Sequence, residues 1–114
     1  MKISNYRFGH IEINGQGYAS DVIITPDGVI DGWWRKQGHK LAIEDLDAII
    51  HAKPEMLILG SGYFGRMQVP EATLAFLEGK GIQVQVARTS EAVRTFNALQ
   101  QECSHIVAAL HLSC

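Results

Sequence analysis

A glycine-rich turn carries the first candidate chemistry in the chain. Residues 60–65 read GSGYFG and follow the apolar run 56–59, so a buried strand is predicted to end there in a tight turn. In open α/β sheets, ligands bind just beyond the carboxyl ends of strands. Backbone amides exposed at such a turn can hold a small anion, and the Arg66 side chain would add a positive charge. The predicted ligand-binding residues of this segment are Gly60, Ser61, Gly62 and Arg66.

The same segment matches the dinucleotide-binding pattern G-x-G-x-x-G, but three features disfavour a nucleotide. The third glycine of that pattern should lie within a helix, whereas the next helix is predicted to open at Pro70. The end of the next strand offers Arg88 where the pattern expects an acidic residue for the ribose. The chain is also too short for the usual two-halved nucleotide domain. We therefore predict no cofactor, and we favour a tight turn that binds nothing over a nucleotide site.

A second polar segment, Arg88-Thr89-Ser90, follows the strand 82–87 and begins a helix. If this strand is the parallel neighbour of 56–59, Arg88 and Thr89 should line one crevice together with the glycine turn. A helix N-terminus with hydroxyls and an arginine suits an anion. The alternative, which we favour, is ordinary helix capping by Thr89 or Ser90.

The other reactive side chains form no recognisable catalytic or metal-binding set. Five histidines are scattered, and only His111 and Cys114 lie three positions apart, which is a poor metal pair without two more ligands. Ser61 does not match the nucleophile-elbow pattern G-x-S-x-G. We predict no catalytic residue and no metal site, and the sequence leaves open whether the protein is an enzyme.

Composition restricts the class of protein. The 114 residues are 46% hydrophobic and 19% charged, with a formal net charge of −2, which predicts one packed domain over residues 1–114. The chain lacks a basic region for nucleic acid and an apolar run of about 20 residues for membrane insertion. Two cysteines and a polar first segment favour a reducing, cytoplasmic location.

The elements that must position these residues alternate along the chain. The first third predicts three antiparallel strands joined by turns at Asn14-Gly15 and Pro26-Asp27-Gly28, the last strand ending at Arg35. The rest predicts, in order, a helix over 43–52, a strand over 56–59, a helix from Pro70 to 79, a strand over 82–87, a helix from 89 and a strand over 106–112. This alternation requires a partly parallel sheet covered by helices. Periodicity does not decide whether the first strands join that sheet or form another layer.

Trp33 and Trp34 should face opposite ways at the end of the third strand. One is expected in the core and the other outside it. A second copy of the chain could cover the outer ring, which predicts a homodimer, and packing within one chain is the alternative.

Several segments together resemble one family of small α/β domains. They include Trp33-Trp34-Arg35 with Gly38-His39, the run from Pro54 to Gly62, Gly81-Ile82-Gln83-Val84, Thr89 with Ala92, Phe96-Asn97-Ala98-Leu99, and Val107-Ala108-Ala109-Leu110. The chain resembles the Mth938-like family, which includes a mitochondrial respiratory complex I assembly factor and an adipogenesis-associated protein. This resemblance implies a three-layer α/β fold with a mixed central β-sheet, flanking helices and a small additional N-terminal β layer.

The resemblance also bears on function. It implies no established reaction and suggests assembly through protein contacts. The Gly60-Ser61-Gly62 turn, Thr89 and Asn97 are the matching positions that could build a pocket. We therefore predict a non-enzymatic binding or assembly-type domain with a protein partner. The alternative is a small enzyme or sensor that binds an anionic metabolite beside the glycine turn.

Overall fold

The computed structural model describes residues 1–114 and contains eight β-strands and three α-helices. The strands are β1 Ile3–Arg7, β2 His10–Ile13, β3 Gln16–Tyr18, β4 Val22–Thr25, β5 Gly28–Asp31, β6 Met56–Ser61, β7 Gln83–Ala87 and β8 Ile106–His111. The helices are α1 Asp47–His51, α2 Glu71–Gly79 and α3 Thr89–Leu99, with a 3₁₀-helix at Ile43–Leu46 leading directly into α1.

Five strands form the central sheet in the order β5-β4-β8-β6-β7. Strand β8 lies in the middle, parallel to β6 on one side and antiparallel to β4 on the other. All six residues of β8 are buried, because both faces of the sheet are covered. The continuous apolar run near the end of the sequence thus becomes the centre of a mixed sheet.

The first three strands form a separate antiparallel sheet in the order β1-β2-β3. Asn14 and Gly15 join β2 to β3 with φ of 51° and 81°, the left-handed geometry that a two-residue hairpin requires. The hairpin predicted from this dipeptide is therefore confirmed. Buried side chains at Ile3, Ile11 and Ile13 attach this sheet to the rest of the molecule.

Two apolar clusters cover the opposite faces of the central sheet. One combines Ala108 and Leu110 of β8 with α3 and the three-stranded sheet. The other combines Val107 and Ala109 of β8 with α1, α2 and the 3₁₀-helix. The predicted three-layer α/β architecture, with a mixed central sheet and an additional N-terminal β layer, is confirmed.

The first third differs from the sequence prediction in detail. It contains five strands instead of three, and β5 ends at Asp31 instead of Arg35 because Gly32 turns the chain with φ of 76°. The two tryptophans therefore lie beyond the strand. They still face opposite ways, since Trp33 is 8% exposed and Trp34 is 77% exposed.

The helices begin and end close to the predicted positions. The predicted helix over 43–52 is a 3₁₀-helix followed by the short α1, and the chain leaves it through Lys53 at φ of 52°. Pro70 lies one position before α2, at its N-cap instead of its first turn.

Candidate functional site

The glycine turn after β6 and the start of α3 meet, as the sequence suggested for neighbouring parallel strands. Strands β6 and β7 are parallel neighbours. The Gly62 N–H donates to Thr89 Oγ1 over 2.9 Å, and the Thr89 N–H donates to the Gly62 carbonyl over 3.1 Å. The Thr89 hydroxyl in turn donates to the His111 carbonyl at the end of β8 over 2.6 Å. Thr89 is fully buried and joins three elements.

These contacts correct the preferred explanation of Thr89. Helix α3 starts at Thr89 itself, its N-cap residue is Arg88, and no side chain caps it. The Thr89 hydroxyl serves neighbouring strand ends instead of its own helix. The prediction that Thr89 or Ser90 caps α3 is therefore wrong.

The space between the two corners is closed by protein. A Cβ added at Gly60 would lie 2.7 Å from Thr89 Oγ1 and 2.9 Å from Leu110 Cδ2. A Cβ at Gly62 would lie 2.5 Å from the backbone of Cys114. A side chain at Gly60 or Gly62 would therefore collide with neighbouring parts of the chain. None of the molecule's pockets is lined by Gly60, Gly62 or Thr89.

The other predicted site residues lie around this junction without forming one crevice. The Ser61 hydroxyl donates to the Ala87 carbonyl over 3.1 Å. The Arg88 guanidinium donates to the Tyr63 carbonyl at 3.0 and 2.7 Å. The Asn97 amide pairs with the backbone of Ile3 in both directions, at 3.0 and 2.7 Å, and so fastens β1 to α3. A ligand-binding role for these residues stays a prediction, whereas their structural contacts are evident.

Arg66 lies at a different opening, which we call the polar basin. It is an open depression of about 560 Å³ lined by Gln37, His39, Lys40, Gly65, Arg66 and Gln68, none of them hydrophobic or acidic. Backbone hydrogen bonds hold together the two chain segments that line the basin. The Gln68 N–H donates to the His39 carbonyl over 2.8 Å, and the Leu41 N–H donates to the Gln68 carbonyl over 2.9 Å.

A largely buried polar cluster of Asp21, Arg35 and His111 lies beside the basin residue His39. Asp21 Oδ2 lies 2.8 Å from Arg35 Nη2 and 2.8 Å from His111 Nδ1, while Asp21 Oδ1 accepts the Leu112 N–H over 2.8 Å. Arg35 and His111 are 6% and 5% exposed. Burial alone would raise the pKa of Asp21, but hydrogen bonds from His111, Leu112 and Arg35 outweigh it and hold that pKa below its usual value.

Two nitrogens of the cluster have no hydrogen-bond partner. They are Arg35 Nη1 and His111 Nε2, both buried. Orphaned buried polar atoms are uncommon in folded proteins. The Arg35 side chain donates to the Gly38 carbonyl at 3.1 and 3.2 Å, and the His111 ring packs edge-to-face on His39 with centroids 6.0 Å apart. The cluster therefore stands directly behind the segment that forms one wall of the basin.

Sequence reasoning missed this cluster. Asp21 precedes β4, and His111 ends β8, so each polar residue borders an apolar strand. A polar residue at the end of an apolar strand was the feature of the sequence that could have identified Asp21 and His111 as candidates. Their meeting depends on the antiparallel pairing of β4 with β8 across 90 positions, which no local pattern reveals.

A second exposed feature is the aromatic patch, formed by Phe8, Tyr63 and Phe64. The three rings contact one another with centroid distances of 5.1 to 6.1 Å, and they are 51%, 39% and 58% exposed. Tyr6 supports the patch from beneath, where its hydroxyl donates to the Leu112 carbonyl over 2.8 Å. Burial raises the pKa of Tyr6 to about 12.

The chain matches the model of one protein family. The family model described as a protein of unknown function, DUF498/DUF598, matches residues 3–111. The chain belongs to the DUF498 family. That description assigns no activity to the family.

Solved structures similar to this DUF498 chain include a conserved hypothetical protein from Pyrococcus horikoshii OT3. It is 26% identical with a TM-score of 0.84, and the match covers 100% of both chains. The protein named MT938 is 25% identical with a TM-score of 0.77, covering 99% of this chain and 98% of that one. A Bordetella pertussis protein described as a Mth938-like domain is 22% identical with a TM-score of 0.70, covering 97% and 85%. The resemblance to the Mth938-like family is thus confirmed. The DUF498 chain has no helix with the length and apolar character needed to span a membrane.

Proposed function

We propose that this protein is a non-enzymatic binding domain that acts through protein contacts, with the aromatic patch as its contact surface. The observation that carries this proposal is the cluster of three touching, solvent-exposed rings at Phe8, Tyr63 and Phe64. Large exposed aromatic side chains are enriched at the energetic centres of protein interfaces. Contiguous apolar surface of this kind is a marker of an interaction site.

The patch is held in place before any partner arrives. The Tyr63 carbonyl accepts two hydrogen bonds from Arg88, and the Arg66 N–H donates to the Cys114 carbonyl over 2.9 Å. Gly65 closes the turn with φ of 71°. A pre-ordered surface loses less conformational entropy on binding, which favours affinity.

The surroundings of the patch define the chemistry of its partner. The Arg66 guanidinium lies over the Phe64 ring, 5.8 Å from its centroid, and Arg88 lies beside Tyr63. A partner segment with apolar side chains flanked by carboxylates would complement this arrangement. We propose such a segment on another protein, in keeping with an assembly-type role. The predicted homodimer would cover the exposed ring of Trp34, which is not part of the patch, and a dimer through the patch itself is the competing occupant of this surface. The two free cysteines accord with the cytoplasmic location that we propose.

The test is selection of binding peptides from a random library by the folded protein, followed by affinity measurement. The selected peptides should combine aromatic or aliphatic residues with Asp or Glu. Phe64→Ala should weaken their binding at least tenfold, about 1.4 kcal/mol, because it removes a central ring. The matched control is Ile30→Ala, an exposed apolar residue on β5 that should leave affinity unchanged.

Two results would contradict the proposal. One is peptide binding that survives Phe64→Ala and Phe8→Ala together. The other is concentration-dependent dimerisation, measured by sedimentation, that disappears with Phe64→Ala, because the patch would then be occupied by a second copy.

A further inference from the structure

We propose that the polar basin and the Asp21–Arg35–His111 cluster behind it form one binding site for a small phosphate-bearing molecule. This inference goes beyond the protein-contact role and concerns a different surface. It rests on the positive charge of the basin and on the two unpartnered nitrogens of the cluster, Arg35 Nη1 and His111 Nε2. It also rests on the ring contact between His39 and His111, which joins the basin to the cluster.

The basin favours an anion over a neutral organic ligand. Lys40 and Arg66 supply two positive charges, and no acidic side chain lines the depression. Pockets for neutral organic molecules of this volume are mostly apolar, whereas this one has no apolar lining residue. Gln37 and Gln68 add amide groups that can orient phosphate oxygens.

The cluster supplies the groups that a phosphate would use at the back of the site. Arg35 Nη2 lies within 2.9 Å of His111 Nδ1 as well as 2.8 Å from Asp21 Oδ2. Because Asp21 and the Gly38 carbonyl take the two hydrogens of Nη2, we assign a hydrogen to His111 Nδ1 and make Asp21 its acceptor. This arrangement leaves Arg35 Nη1 with two free donors. It also leaves His111 Nε2, which accepts from a P–OH group when the ring is neutral and donates to a phosphate oxygen when it is charged.

His39 separates the basin from the cluster. Its exposed ring lines the basin and rests edge-to-face on the buried ring of His111. For a ligand attracted by Lys40 and Arg66 to reach Arg35 Nη1 and His111 Nε2, the His39 side chain has to move aside, and we include that movement in the proposal. Binding would then satisfy two buried polar atoms, each of which carries a desolvation penalty while it is unpaired.

The test is calorimetric titration of the folded protein with pyrophosphate, inorganic phosphate and sulfate at constant ionic strength. Pyrophosphate should bind more tightly than phosphate because it carries more charge. With the His111 ring neutral, phosphate should bind more tightly than sulfate because sulfate has no hydroxyl for His111 Nε2. Lys40→Gln should weaken pyrophosphate binding at least fivefold. His111→Asn keeps a donor for Asp21 but lacks Nε2, so it should also weaken binding at least fivefold.

One control separates this site from its surroundings. Arg94→Gln removes one positive charge from an exposed position on α3 that lines no pocket, and it should change pyrophosphate affinity less than twofold.

Lack of pyrophosphate binding at 10 mM would overturn the inference, and so would equal losses from Lys40→Gln and Arg94→Gln. An unchanged affinity in folded His111→Asn would remove the cluster from the site and overturn the inference in this form. Lys40 is exposed, so Lys40→Gln should fold and keep the test decisive even if the buried variant does not.

Discussion

At the scale of single residues, Asp21 shows how a buried charge is kept. Its carboxylate is held between the Arg35 guanidinium, the His111 ring and the Leu112 amide. A buried ion pair stabilises a protein only when its remaining hydrogen bonds are satisfied. Here the carboxylate is satisfied and its partners are not, since Arg35 Nη1 and His111 Nε2 remain free. This asymmetry is what makes the cluster a candidate for ligand binding as well as for stability.

The lowered pKa of Asp21 predicts acid sensitivity. Because the folded protein binds this proton less readily than the unfolded chain, protonation favours unfolding. The stabilisation should be complete above the usual pKa of 3.8 and should be lost as pH falls through the lower folded value. Asp21→Asn should therefore be less stable than the parent at pH 7, and the difference should shrink toward pH 2.

Urea unfolding across this pH range measures that difference. Asp27→Asn, at an exposed position between β4 and β5, is the matched control and should differ from the parent by less than about 0.5 kcal/mol throughout. A constant difference between Asp21→Asn and the parent from pH 7 to pH 2 would show that the Asp21 carboxylate is not responsible.

At the scale of elements, the junction at Thr89 fastens β6, α3 and β8 together. Local patterns located these elements, because apolar runs and glycine or proline breaks mark strands and helices directly. The local patterns gave the wrong end for β5, where Gly32 turns the chain early. They also gave the wrong role for Thr89. Capping is a statistical preference of threonine, whereas the hydroxyl's actual partners come from neighbouring strands that the sequence does not place.

Thr89→Val tests the junction, because valine keeps the shape of the side chain and removes its hydroxyl. The Gly62 N–H and the His111 carbonyl would lose their partner inside the protein. We expect the free energy of unfolding to fall by about 2–3 kcal/mol in urea denaturation. Thr95→Val, a half-buried position on the same helix, should change it by less than about 0.5 kcal/mol, and equal effects of the two variants would refute the role of the Thr89 hydroxyl.

At the scale of the whole molecule, the features with functional promise are assembled by long-range pairing. The β4–β8 pair brings Asp21 to His111, and the turn between β1 and β2 brings Phe8 to Tyr63. Periodicity predicts that each strand is buried but not which strand is its neighbour. The resemblance to the Mth938-like family predicted the three-layer architecture. Neither periodicity nor this resemblance predicted that protein atoms fill the space beside the glycine turn, or that the Arg66 side chain lines a different depression.

The central claim is that the junction of the glycine turn with Thr89 is closed and that ligands bind beside it. An amide chemical-shift titration with pyrophosphate tests this claim most directly. We predict the largest shifts at residues 37–40 and 65–68, with Gly62 and Thr89 nearly unchanged. Shifts concentrated at Gly60, Gly62 and Thr89, with the basin residues silent, would contradict it.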